Sequence, residues 1–124
     1  MSKPFSIYDR LRSFVVAFNG ISVTLRTEHN FIIHIFLAIF AIALGFCLQI
    51  SSLEWVAIVI VISMVLAAEL INTSIEIIVD MVSPERNKQA GIIKDIAAGA
   101  VLITAIGALI TGLIIFGPKL LELI

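Results

Sequence analysis

Charge is what this chain has least of. Only 14% of its 124 residues are Asp, Glu, Lys or Arg, while 60% are hydrophobic, and the mean hydropathy is +1.16. Soluble domains carry about 25% charged residues. That composition argues against a water-soluble globular domain. It argues equally against disorder, which needs low hydrophobicity and high charge. Cysteine is almost absent: Cys47 stands alone, so no internal disulfide forms and no cysteine zinc site closes. The net charge of -1 supplies no basic excess, so no nucleic-acid partner is expected. The chain also lacks a G-x-x-x-x-G-K-[ST] loop and a glycine-rich kinase loop, so any nucleotide site must be built differently.

The missing charge is concentrated in three stretches. None occurs from His29 to Leu53, from Trp55 to Ala68, or from Ile96 to Pro118. A helix crossing a bilayer needs roughly 20 mostly apolar residues. Three membrane spans are therefore predicted near residues 31–50, 53–75 and 96–116. The first starts too late and runs too long for a signal peptide, and no small-residue cleavage site follows it. Seven of the eight basic residues precede the first span or lie between the second and third; only Lys119 follows the third. The positive-inside rule then puts the N-terminus in the cytoplasm and the C-terminus outside. Trp55 falls at the outer boundary of the second span, a usual place for an interfacial ring.

The N-terminal segment differs in kind. Ile7, Leu11, Phe14, Phe18, Ile21 and Leu25 recur at helical spacing, while Arg10, Arg12, Ser13 and Asn19 fall off that stripe. Ser6 is placed to cap the helix, with Asp9 three residues on. The pattern predicts an amphipathic helix over residues 6–25 lying on the cytoplasmic membrane surface. The expected architecture is all-α and integral to the membrane: one surface helix and three transmembrane helices forming a single domain over residues 1–124.

Polar residues interrupt the end of the second span. At 100° per residue, Glu69, Glu76 and Asp80 lie within about 40° of one another around the helix, and Asn72 within about 60° of Glu69. Leu70, Ile71, Ile77 and Ile78 cover much of the remaining circumference. An acid inside a span costs a few kcal/mol and marks a functional site by default. Counted from Leu53, Glu69 lies about 24 Å along the helix and Glu76 about 35 Å. Hydrocarbon about 30 Å thick leaves Glu69 within the inner leaflet, with Glu76 and Asp80 at the cytoplasmic surface. Glu28, at the first span, and Lys94-Asp95, at the third, approach the same face.

These groups describe a chemistry. Carboxylates at a surface bind Mg²⁺ alongside phosphate oxygens. A lysine neutralises transferred phosphate as a point charge. A carboxylate within the leaflet can take the proton of a lipid hydroxyl. Together they suit phosphoryl transfer from a water-soluble nucleotide to a membrane alcohol. A small cation or proton-coupled carrier also uses intramembrane acids, but it favours a midplane site and broken helices. Here the acids gather at one face, and no Gly or Pro lies between Leu53 and Val82. A non-catalytic assembly subunit accounts for the small-residue ridge Ala100, Thr104, Ala108 and Gly112, but not for the acids. His29 and His34 invite a metal reading, but His34 lies too deep and lacks an adjacent ligand pair, so both read as structural. Cys47 reads as packing.

The run Glu69-Leu70-Ile71-Asn72-Thr73-Ser74-Ile75-Glu76, followed by Asp80, Lys94-Asp95 and Gly99-Ala100-Val101-Leu102, resembles the prokaryotic diacylglycerol kinase family, which includes the undecaprenol kinases. The resemblance runs from about Arg12 to Lys119. Glu28-His29-Asn30-Phe31 with His34, Glu54-Trp55 and Phe116-Gly117-Pro118-Lys119 look closer to the undecaprenol kinase branch. The resemblance implies an ATP- and Mg²⁺-dependent lipid kinase of the bacterial inner membrane, working as a homotrimer with sites shared between subunits. It implies Glu69 as catalytic base and Glu28 and Glu76 as holders of the ATP-bound metal. Lys94 and Asp95 would bind the nucleotide phosphates, Glu85, Arg86 and Asn87 would lie beside the nucleotide, and Asn72 and Asp80 would support the site. The surface helix has Asp9 where many relatives have an arginine; Arg10 stands one position along as its expected substitute. The loop Ser83-Pro84-Glu85-Arg86-Asn87 lacks the histidine often found there. A lipid hydroxyl at the inner interface suits undecaprenol and diacylglycerol alike, and the branch resemblance favours undecaprenol.

Overall fold

The computed structural model describes residues 2–124 and is entirely helical across them: α1 (Ile7–Thr27), α2 (His29–Cys47), α3 (Ser52–Val82) and α4 (Lys88–Leu121). The last three are long and apolar enough to cross a membrane. Over the segment expected to be the surface helix, a helix forms slightly later and longer than predicted. The side chain of Ser6 caps it, accepting from the Asp9 amide at 3.3 Å.

The helices end where local chemistry ends them. A single residue, Glu28, forms the elbow between α1 and α2. It is extended (φ -112°, ψ 108°), and its N–H closes α1 on the Thr24 carbonyl at 2.9 Å. No glycine or proline marks this break. Thr24 and Thr27 instead donate their hydroxyls back to the carbonyls of Gly20 and Val23, at 3.1 and 3.0 Å, a habit that bends helices. α2 stops at Cys47, short of the predicted Ile50. Gln49 turns the chain with φ 51°, in the left-handed region. Ser51 and Glu54 then start α3 with reciprocal side-chain-to-backbone hydrogen bonds of 2.9 and 3.2 Å.

α3 and α4 run antiparallel and outlast their predicted spans. Their 31 and 34 residues make helices about 46 and 51 Å long, well over a hydrocarbon thickness of about 30 Å. Most of the excess lies around the 83–87 connection, the end that carries most of the basic residues, and α4 also continues from Gly117 to Leu121 at the other end. The polar residues that close the hydropathic run at Ile75 leave the helix unbroken to Val82. At the opposite end, Ile50, Ile58, Ile115 and Phe116 form a buried cluster, and Lys119 reaches Glu54 at 3.6 Å. Trp55 tilts onto Phe46 with ring centroids 4.8 Å apart. Gly45 makes room for it, since a Cβ there would lie 2.7 Å from Cη2 of the indole.

Much of the apolar surface stays uncovered within one chain. Phe36, Phe40, Ile103 and Leu113 are all more than half exposed. Faces of that extent need lipid or another protein against them.

Candidate active site

The acids on the second half of α3 form a column, and the structure surrounds it unevenly. Glu69 is the most enclosed, at 4% exposed. Its Oε1 lies 3.2 Å from Nε2 of His34 on α2. One turn on, Thr73 is buried and its hydroxyl donates to the Glu69 carbonyl at 2.9 Å, so the helix consumes that polar group internally. Asn72 donates its Nδ2 to Glu76 Oε1 at 3.4 Å. Its Oδ1 is buried with no hydrogen-bond partner among the described residues. At the exposed end of the column, Lys94 from α4 closes on Asp80 with Nζ 2.5 Å from Oδ1.

Electrostatics tie the column together. Glu28 and Glu76 both act on the Glu69 carboxylate through space, as Glu76 and Asp80 do on Lys94. Glu28, Glu69, Glu76, Asp80 and Lys94 therefore belong to one charged cluster, assembled by the α1–α2 elbow, α3 and the start of α4. Four carboxylates against one ammonium leave an excess of negative charge, and the residues able to offset it sit just outside. A cavity of about 450 Å³ opens at the 83–87 connection, lined among others by Asp80, Glu85, Arg86, Asn87, Lys88 and Lys94. The Asn87 side chain also caps α4, accepting from the Gln89 amide at 2.8 Å.

Two expected members stand apart from the cluster. Asp95 lies about 100° around α4 from Lys94, is exposed and contacts no described polar side chain. It is also well inside α4, so it does not cap that helix. Arg10 is exposed on α1 with its guanidinium 5.7 Å over the Phe5 ring. No three His, Cys, Asp or Glu side chains converge as a metal cage among the described residues. The donors that do gather, two carboxylates and the unpartnered Asn72 oxygen, suit a hard cation that brings other ligands with it.

His34 was the member that sequence reasoning missed. Its depth and the lack of an adjacent ligand pair argue against a metal role, yet the same depth is what pairs it with Glu69. His34 lies about 9 Å along α2 from Glu28, and Glu69 about 10 Å along α3 from Glu76, so the two reach the same level. His34 also borders a second cavity of about 370 Å³, an apolar groove between α2, α3 and α4. The groove is bounded by aliphatic and phenyl groups such as Leu37, Phe40, Val65, Leu66 and Leu113. The apolar groove thus reaches the partner of Glu69, while the polar cavity begins at Val79 and Asp80, about 15 Å further along α3 at the other end of the acid column.

The chain is similar in sequence to known proteins over most of its length. The family model described as prokaryotic diacylglycerol kinase matches residues 15–116. The chain is 42% identical over 109 residues to an undecaprenol kinase of Bacillus subtilis (strain 168), covering 88% of this chain and 89% of that one. It is 37% identical over 114 residues to a diacylglycerol kinase of Synechocystis, covering 91% of this chain and 65% of that one.

Proposed function

The chain belongs to the prokaryotic diacylglycerol kinase family, a family of lipid kinases, and from that premise we propose that it transfers the γ-phosphate of ATP to the hydroxyl of undecaprenol. One observation carries the reading: Glu69 is buried at the inner end of an acid column whose exposed end, Asp80, lines a polar cavity, and its partner His34 lines an apolar groove. A phosphoryl donor soluble in water and an acceptor soluble in lipid need such a junction. Undecaprenol is preferred over diacylglycerol because the Bacillus relative aligns over most of both chains, at the higher identity.

In this reading Glu69 accepts the hydroxyl proton as the oxygen attacks the γ-phosphorus in line and ADP leaves. Glu28 and Glu76, with Asn72 next to Glu76, would hold Mg²⁺ carried in on ATP, and the ion would neutralise charge on the phosphate oxygens. Lys94 leaves Asp80 to engage the phosphates, and Asp80 keeps it in place when the site is empty of nucleotide. Glu85, Arg86 and Asn87 border the nucleotide, joined by Arg10 and Asp95. The last two face away from the cluster within one chain, which fits a homotrimer in which a neighbouring chain completes each site. The exposed apolar faces fit the same assembly and a bacterial inner-membrane setting. α1 then lies along the cytoplasmic surface, with the N-terminus inside as the basic residues predict.

The test is Glu69→Gln. It should lower turnover by about 10²-fold or more while ATP still binds. Near-normal turnover in that variant contradicts Glu69 as the base, and no turnover by the folded wild type contradicts the kinase reading.

A further inference from the structure

The groove and the acid column meet at one side chain that neither the family comparison nor the acid cluster accounts for. Among the described residues that line the groove, His34 alone is polar. Its Nε2 is 3.2 Å from Glu69 Oε1, and its side chain is 20% exposed against 5% for that of Glu69. No other described side chain comes within hydrogen-bonding reach of the Glu69 carboxylate. An imidazole in apolar surroundings needs a partner, and a carboxylate enclosed in a helix bundle needs a donor. Each supplies the other.

We propose that His34 is a positioning residue for Glu69: its Nε2–H holds one carboxylate oxygen, and the other is left to receive the proton of the lipid hydroxyl at the end of the groove. This deepens the kinase reading and rests on it. A glutamate has three rotatable bonds, and a base 1 Å out of place can lose about 10²-fold in rate. Anchoring Oε1 across from α2 fixes the carboxylate relative to two helices rather than one. A contact of this length in the absence of substrate tightens as the complex forms, the usual behaviour of hydrogen bonds around a base. His34 itself takes no proton from the substrate. The hydroxyl proton goes to Glu69, the new O–P bond forms at the γ-phosphorus, and the bond to the β-phosphate oxygen breaks.

The role requires a donor at the reach of Nε2, which separates it from simple packing. Glutamine places an amide nitrogen at a similar reach, methionine fills a similar volume without a donor, and asparagine keeps the donor but falls short. The purified full chain in micelles containing undecaprenol is assayed with Mg-ATP for His34→Gln, His34→Met and His34→Asn, beside Glu69→Gln. Circular dichroism confirms helical content, and a fluorescent ATP analogue reports nucleotide binding. The expected result is kcat lowered about 100-fold in His34→Met and His34→Asn, with KM for ATP within about twofold of wild type. His34→Gln should recover most of the loss. If His34→Met retains wild-type kcat, or if folded His34→Gln and His34→Met are equally impaired, His34 only packs and the inference is wrong. If His34→Met fails to fold, the ratio of His34→Gln to His34→Asn decides in the same way. Full activity of Glu69→Gln would instead remove Glu69 as the base, and no phosphorylation of undecaprenol by the folded wild type would bring down the kinase reading beneath it; both are distinct from an active His34→Met beside a dead Glu69→Gln.

Discussion

Lys94 Nζ lies 2.5 Å from Asp80 Oδ1, a bridge between the ends of α3 and α4 that closes one side of the polar cavity. Both side chains are open to water, so the pair contributes little to stability. In the proposed reaction it holds the ammonium beside the cavity. Asp80→Asn should leave the thermal unfolding midpoint nearly unchanged and lower kcat/KM for ATP less than about tenfold. Lys94→Ala removes the charge itself and should lower kcat/KM about 100-fold or more. Steady-state kinetics across an ATP titration checks both. Equal losses in the two variants would show that the pair acts as one unit.

Asn72 is a different case. Its Oδ1 is buried and unpartnered while its Nδ2 reaches Glu76. An oxygen left in that state is costly to the fold and useful to a cation. Asn72→Leu trades an unsatisfied acceptor and a long hydrogen bond for apolar contact, so stability should change by no more than about 1 kcal/mol. The Mg²⁺ concentration for half-maximal activity should rise by about tenfold or more. Thermal unfolding in detergent and a Mg²⁺ titration at fixed ATP measure the two effects. An unchanged Mg²⁺ requirement would remove Asn72 from the metal's surroundings.

The far end of the bundle supplies a control. Trp55 occupies space that only a glycine at position 45 leaves open, 2.7 Å from where a Cβ would stand. Gly45→Ala should destabilise by about 1–3 kcal/mol, the usual cost of overpacking. Trp55 is the only tryptophan, so its fluorescence reports the displacement without interference. Turnover of the folded fraction should stay normal, because Glu69 lies about 21 Å along α3 from Trp55. In a Trp55→Phe background the penalty should shrink.

Several of these features were legible in the residues. The gaps in charge gave three spans, and the 3.6-residue period put Glu69, Glu76 and Asp80 on one side of α3. Hydropathy was a poorer guide to where helices end. It stops at Ile75 because acids enter there, whereas backbone hydrogen bonding carries α3 to Val82. The elbow at Glu28 left no glycine or proline to find; two threonine hydroxyls turned back on the helix accompany it. Asp95 follows Lys94 in sequence, but the 100° step of a helix turns it away from α3. His34 was hidden for the opposite reason. Its partner lies 35 residues away, and only packing of α2 on α3 brings the two together.

The central claim is that the buried Glu69 carboxylate takes the proton of a lipid hydroxyl during phosphoryl transfer from ATP, and the most direct measurement is phosphoryl transfer from γ-labelled ATP. Purified protein is given undecaprenol and diacylglycerol in separate micelles at matched concentration, as wild type and as Glu69→Gln. The account predicts Mg²⁺-dependent labelling of undecaprenol in preference to diacylglycerol, and loss of labelling in Glu69→Gln. Preference for diacylglycerol would overturn the choice of substrate while keeping the site. Labelling of neither lipid by the folded wild-type protein would contradict the account as a whole.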